Sequence, residues 1–310
     1  MKGVVIKSVG SSYTVLAENG SLFNCKLKGL FRIKELKTTN PVTVGDKVGF
    51  ELDAEQGYGI ISEIEQRKNY IIRQGTKLNR NAHIIASNLD QAILVATLFS
   101  PRTSTGFIDR FLVTAEAYNI KPVIVFNKLD MFEKSDLLDL ENLKKVYADC
   151  GYQMLETSAE SGLGLIEFKE LLKDKVSLIT GHSGVGKSTL VNTIEPNLDL
   201  RIGEISEYHQ KGTHTTTFAE MLPLSFGGFI IDTPGIKEFG LVDFDKYEMG
   251  HFFPDIKRHL DNCRFNNCIH VTEPGCAVRK AWDEGILADF RYTNYINMIT
   301  SEEVVRKHYE

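Results

Sequence analysis

Residues 181–188 read GHSGVGKS, and the chemistry this spacing permits is the cradling of a phosphate chain. Gly181, Gly184 and Gly186 let the backbone around His182, Ser183 and Val185 curl its N–H groups toward phosphate oxygens. Lys187 carries positive charge to the terminal phosphates, and Ser188, followed by Thr189, offers a hydroxyl to Mg2+. The surrounding VSLITGHSGVGKSTLVNTI sets the loop between an apolar strand and an amphipathic helix whose N-terminal dipole faces the same phosphates. Downstream, GGFIIDTPG ends a strand at Asp232, 44 residues after Ser188, where an acid suits the outer sphere of Mg2+ and Gly235 can bring a backbone N–H to a γ-phosphate. Between them KGTHTTT, 211–217, is a polar loop whose threonines could reach Mg2+ only when a γ-phosphate is present. Spacing does not rank Thr215, Thr216 and Thr217; Thr216 is the expected ligand.

A second group reads a base. In NKLD, 127–130, the Asp130 carboxylate can accept two N–H donors from the N1 and 2-amino edge of guanine, a pairing that adenine lacks. Asn127 can hydrogen-bond the base and brace the phosphate loop, while the stem of Lys128 lies along the purine face. Thirty residues after Asn127, the backbone of Thr157, Ser158 and Ala159 can meet the guanine carbonyl oxygen. Together with the phosphate loop these favour GTP over ATP. A third group, C-x4-C-x-H-x5-C, comprises Cys263, Cys268, His270 and Cys276: three thiolates and an imidazole, a complete tetrahedral set for one structural Zn2+ with no open position for catalysis. Cys25 and Cys150 stand alone and read as buried, inert thiols, so five cysteines form no disulfide framework.

Elements must hold these groups in place. Residues 1–70 contain five short, partly alternating strands (KGVVIKSVG, SYTVLAENG, LFNCKLKG, KVGFELDAEQG, YGIISEIEQ) separated by turn signals, which predicts a small OB-type barrel, a fold whose open face commonly binds oligonucleotides. Residues 71–88 lack a clean period and read as a connector leading into a central domain, 71–245. From 89 strand and helix alternate: QAILVATLF, FIDRFLVTAEAYN, KPVIVFNKLD, DLENLKKVYADCG, QMLETSA, GLIEFKELLKD, KVSLITG. That pattern predicts a parallel, doubly wound α/β sheet. Residues 246–310 turn irregular around the cysteines and then helical, a third, small domain.

The net charge of −5 excludes a generic nucleic-acid binder, but residues 1–73 carry eleven Lys/Arg against eight Asp/Glu, so RNA contact is expected from that segment. The longest apolar run, Ala92–Phe99 broken only by Thr97, is far short of the roughly 18 residues a membrane span needs. Lys7 breaks the apolar stretch that an export signal would require. A cytoplasmic monomer without membrane association is expected.

The base-reading motif precedes the phosphate loop, the reverse of the order in Ras-like GTPases. Loops at the carboxyl ends of parallel strands are fixed by the sheet and not by chain order, so a re-cut chain keeps the site. With the barrel, NKLD, TSA, GHSGVGKS, HTTT, DTPGIKEFG and the cysteine cluster in this order, the whole chain closely resembles the family of ribosome small subunit-dependent GTPase A (RsgA), circularly permuted GTPases. The resemblance implies GTP hydrolysis to GDP and phosphate, stimulated by the 30S subunit during its late maturation, with the barrel and zinc domain contacting 16S rRNA. A GTP-gated switch acting on another RNA or on a translation factor is the alternative. Ras-like enzymes orient the attacking water with a glutamine just after D-x-x-G; here that position is Ile236, so the chain alone should be slow. His214, beside the threonines, is the polar residue best placed to substitute, and the resemblance points to it; capping the loop is the other role open to it. Lys187, His214 and Thr216 are the expected catalytic residues.

Overall fold

The structure, a computed structural model, describes residues 1–28, 41–53, 57–73, 83–198, 200, 219–232 and 245–301. Five strands, β1 (Lys2–Val9), β2 (Ser12–Ala17), β3 (Leu22–Leu27), β4 (Lys47–Leu52) and β5 (Gly59–Ile64), close into a barrel in the order β1-β2-β3-β5-β4, with β4 returning to β1. Alternation decides which side chains enter it: Val5, Tyr13, Val15, Cys25, Val48, Phe50 and Ile61 fill the interior. This is the OB-like barrel that the alternating pattern predicts.

The connector is more ordered than its sequence suggests. Strands β6 (Tyr70–Arg73) and β7 (His83–Ser87) form a two-stranded antiparallel sheet. Their partners lie across the intervening segment, so neither run shows a signal within a local window. Asp46, fully buried, accepts from Arg67 Nε at 2.7 Å and from Ser87 Oγ at 2.7 Å, tying the barrel to β7.

The central sheet contains β8 (Gln91–Ala96), β9 (Lys121–Phe126), β10 (Gln153–Glu156), β11 (Val176–Thr180), β12 (Glu220–Pro223) and β13 (Phe229–Asp232), ordered β10-β9-β8-β11-β13-β12, all parallel except β12. Successive residues of one strand enter opposite cores: Ala92, Leu94 and Ala96 pack on α1 (Thr105–Ala117) and α2 (Lys134–Asp149), whereas Ile93 and Val95 pack on α3 (Leu165–Leu172) and α4 (Lys187–Ile194). Helices therefore cover both faces, as near-continuous apolar strands require. The chain enters at the centre with β8, fills one side with β9 and β10, returns beside β8 with β11, and fills the other side with β13 and β12. Strand β12 also pairs with β1 at Lys7 and Glu220, so barrel and central sheet are continuous.

Beyond residue 245, short helices α5 (Pro254–Lys257), α6 (Ala277–Asp283) and α7 (Asp289–Thr300) surround a separate core that includes Phe253, Ile256, Val278 and Tyr295, joined by Val113 of α1. No helix among the described residues is long and apolar enough to cross a membrane.

Candidate functional site

The loops after β8, β9, β10 and β11 converge at the carboxyl edge of the parallel strands. Two glycines in the phosphate loop are fixed by what lies beside them. At Gly181, φ is +144°, and a Cβ would stand 2.2 Å from the Val95 carbonyl oxygen; at Gly186, φ is +93°, and a Cβ would stand 2.5 Å from Asn127 Nδ2. Glycine at 186 is thus what admits the asparagine of NKLD to the loop. Asn127 Nδ2 donates to the Val185 carbonyl oxygen at 2.9 Å. Lys187, buried at the start of α4, donates from Nζ to the carbonyl oxygens of Gly181 (2.8 Å) and His182 (2.7 Å), and burial pulls its pKa down to about 8. Ser188 is buried beside it, and Ser183 and Gly184 are exposed. The His182 ring packs on Phe107 of α1 with centroids 4.0 Å apart, and burial lowers its pKa.

The base loops brace one another. Asn127, Thr157 and Ser158 are buried, and Thr157 Oγ1 donates to Asn127 Oδ1 at 3.1 Å. Ser158 Oγ donates to Asp130 Oδ1 and accepts from the Ser161 N–H at 3.0 Å, so the exposed Asp130 carboxylate is held in one orientation. Lys128 adopts φ +65°, which sends its ammonium across to the Ser100 carbonyl oxygen at 2.7 Å. Within the TSA segment the hydroxyls of Thr157 and Ser158 hold Asn127 and Asp130 of NKLD in place, a contact that its sequence does not display. Asp232 ends β13, whose neighbour β11 leads into the phosphate loop. His214, Thr215–Thr217, Gly235 and Ile236 lie outside the described residues.

The cysteine cluster assembles as its spacing predicts. The ligand atoms of Cys263, Cys268, His270 and Cys276 all lie within 4.8 Å of one another, with His270 Nδ1 3.6 Å from Cys263 Sγ and 3.4 Å from Cys276 Sγ. A tetrahedral cation with bonds of about 2.3 Å to sulfur and about 2.0–2.1 Å to nitrogen sets such S···N separations near about 3.6 Å, so the donor set fits one metal ion. Burial lowers the His270 pKa, leaving a neutral imidazole, and pushes the Cys268 thiol up to about 12 when no cation balances the crowded sulfurs. The turn that presents His270, at φ +60°, is built around Glu273, whose carboxylate accepts from the N–H groups of Ile269 (2.8 Å), Val271 (2.9 Å) and Thr272 (3.0 Å). Burial raises the Glu273 pKa, but these backbone donors outweigh it and hold the carboxyl below its ordinary range. Tyr292 Oη donates to the His270 carbonyl oxygen at 2.7 Å, and Cys276 Sγ caps α6 by accepting from the Arg279 N–H at 3.4 Å.

A P-loop, a guanine-reading motif placed before it in the chain, an OB-like barrel and a three-cysteine, one-histidine cluster define a circularly permuted GTPase with appended domains. The family model described as RsgA GTPase matches residues 64–242, and that described as RsgA N-terminal domain matches 2–61. The chain belongs to the RsgA GTPase family and is a GTP-hydrolysing enzyme. It is 51% identical over 303 residues to the small ribosomal subunit biogenesis GTPase RsgA of Bacteroides fragilis (98% of this chain, 97% of the relative). To that of Christiangramia forsetii it is 49% identical over 305 residues, with the same coverage of both chains. Among solved structures it is similar to YjeQ from Thermotoga maritima, with TM-score 0.80, 37% identity and 98% of each chain covered. It is also similar to YloQ, titled a circularly permuted GTPase, with TM-score 0.75, 31% identity, and 99% of this chain and 95% of that chain covered.

Proposed function

We propose that this protein is a GTPase of late 30S subunit maturation, hydrolysing GTP to GDP and phosphate with stimulation by the small subunit. The supporting observation is that Asn127 reaches from the base loop to the phosphate loop, joining the two into one guanine-nucleotide site. The full-length likeness to relatives named for small ribosomal subunit biogenesis supplies the partner. In this reading Asp130 takes the guanine N1 and 2-amino edge, Asn127 and Lys128 hold the purine, and Thr157, Ser158 and Ala159 support them. The backbone of 181–189 wraps the phosphates. Lys187 spreads charge from the terminal phosphate as water attacks in line, and Gly235 adds a backbone N–H. Ser188 and Thr216 would hold Mg2+, with Asp232 in its outer sphere; the ion supplies charge neutralisation at the β- and γ-phosphates. His214 orients the attacking water, because Ile236 offers no polar group.

Cys263, Cys268, His270 and Cys276 would hold one Zn2+, which supplies folding energy and no reaction step because all four positions are protein ligands. The barrel and the carboxy-terminal region contact 16S rRNA, and the protein works as a cytoplasmic monomer. Steady-state GTP hydrolysis measured alone and with purified 30S, 50S or 70S particles tests the reading. Turnover is expected to rise only with 30S; equal stimulation by 50S, or none by any particle, overturns it.

A further inference from the structure

The region beyond residue 245, which carries the cysteine cluster, shares a helix with the phosphate loop. Helix α1 packs Ile108, Phe111, Leu112 and Ala115 on the central sheet and contributes Val113 to the core of the carboxy-terminal region. Its first turn meets the nucleotide site through Phe107, whose ring lies 4.0 Å from that of His182. The His182 carbonyl oxygen in turn receives the Lys187 ammonium at 2.7 Å. On another face α1 meets α7 closely: a Cβ at Gly106 would lie 3.4 Å from Asn294 Oδ1.

At the centre of that contact sits a buried charge cluster that GTP chemistry does not use. Asp109 of α1 and Arg291 of α7 are both fully buried. Asp109 Oδ1 accepts from Arg291 Nη1 and, at 2.9 Å, from Tyr147 Oη of α2; Oδ2 accepts from Asn294 Nδ2 at 2.6 Å. The same guanidinium grips Asp255 of α5 in a two-pronged pair, both bonds 2.8 Å, and its carbon lies 4.7 Å from the Phe253 ring centroid. A planar guanidinium held between two carboxylates and an aromatic face has one orientation available, and so does the helix that carries its partner. Removing Arg291 leaves two buried carboxylates without their cation, which they can accommodate only by protonation or by moving α1.

We propose that Asp109 and Arg291 are positioning residues for the phosphate loop, making nucleotide affinity depend on the folded carboxy-terminal region through α1 and the Phe107–His182 contact. This rests on the reading of 181–188 as the nucleotide loop. Because coupling between binding events is reciprocal, bound nucleotide must also stabilise α7.

Titration of the full-length chain with a fluorescent GDP analogue tests it. Arg291→Met is expected to weaken binding about tenfold, and Asn294→Ala, which strands no charge, about threefold, within the usual range of coupling energies. In a Phe107→Ala background, where the link is already cut, Arg291→Met should add less than about twofold. A purely structural role would lower the melting temperature of Arg291→Met and leave its affinity, and this non-additivity, untouched; that result overturns the proposal. If Arg291→Met does not fold, Asn294→Ala decides, and unchanged affinity there is equally fatal. Hydrogen exchange gives the reverse direction: GDP should slow exchange across 289–300, and no slowing refutes the coupling. Failure of the wild-type chain to bind GDP would sink the nucleotide reading itself, whereas wild-type binding with unaltered variants sinks this proposal alone.

Discussion

The nucleotide site and the metal cluster are assembled in opposite ways. The nucleotide site takes Asn127, Thr157 and 181–188 from loops far apart in sequence, and what brings them together is the parallel pairing of β8, β9, β10 and β11. The cysteine cluster takes all its donors from residues 263–276, and what positions them is local: the Cys276 cap on α6, the Glu273 turn and the Tyr292 bond from α7 to the His270 carbonyl oxygen. One site is a property of a sheet and survives re-cutting of the chain. The other is a property of chain order, and its crowded donor set fits one cation. The sheet-built site should tolerate the loss of one side-chain contact; the chain-built site should not tolerate the loss of one ligand.

The sharpest way to break this contrast is Cys276→Ala, with chelation of the wild-type chain as its counterpart. Structural zinc contributes an apparent free energy of about 10–16 kcal/mol in small zinc-dependent folds, more than so small a core supplies. Both treatments are expected to remove the metal, measured as bound zinc per chain, and to melt α6 and α7, measured as lost far-UV helix signal. Retention of those helices without metal would mean that the region is scaffold-held, and the contrast would fail.

A middle-sized effect concerns the charge that the sheet-built site keeps buried. Burial holds the Lys187 pKa at about 8, below the roughly 10.4 of a free side chain. Phosphate needs the ammonium, which dominates below that pKa and is lost above it. Nucleotide affinity should therefore fall as pH rises, by about tenfold between about pH 7 and 9 if only the charged form binds. Burial also lowers the pKa of His182 beside it, so that ring stays neutral through this window and does not mimic the profile. Titrations with GDP across the window check it, and a flat profile would show that Lys187 keeps its proton in the nucleotide-free protein throughout, against the burial argument.

What the sequence displays follows the same division. Motifs whose chemistry lies in consecutive residues, GHSGVGKS, NKLD and the cysteine cluster, are legible because their spacing is the mechanism. The five barrel strands are legible because one-sided burial imposes a period of two, and the central strands because burial on both faces leaves near-continuous apolar runs. Contacts between distant segments are not: Arg291 lies 182 residues from Asp109, and neither side chain carries a local signature of burial. The β6–β7 pair hides for the same reason. Helix α2 begins at Lys134, five residues before the periodic stretch that starts at Asp139. Its start is fixed by a contact that the usual Ser/Thr-x-x-Glu/Gln signature does not cover: the Glu133 N–H donates to Asp136 Oδ2 at 2.8 Å, in a capping box built from two acids.

The smallest predicted effect tests how redundant the sheet-built site is. Thr157→Val keeps the shape of a fully buried side chain and deletes the hydroxyl that donates to Asn127 Oδ1 at 3.1 Å. Asn127 then loses one of two anchors and retains the other, its Nδ2 bond to the Val185 carbonyl oxygen at 2.9 Å. A single neutral hydrogen bond is worth about 1 kcal/mol net, so GDP affinity should fall about fivefold. Asp130, held separately by Ser158, keeps its orientation, so the preference for guanine over adenine nucleotides should not change. Paired titrations with GDP and ADP measure both quantities. A loss of more than about a hundredfold, several times one hydrogen bond, would mean that Asn127 has no effective second anchor and that the nucleotide site is as brittle as the metal cluster.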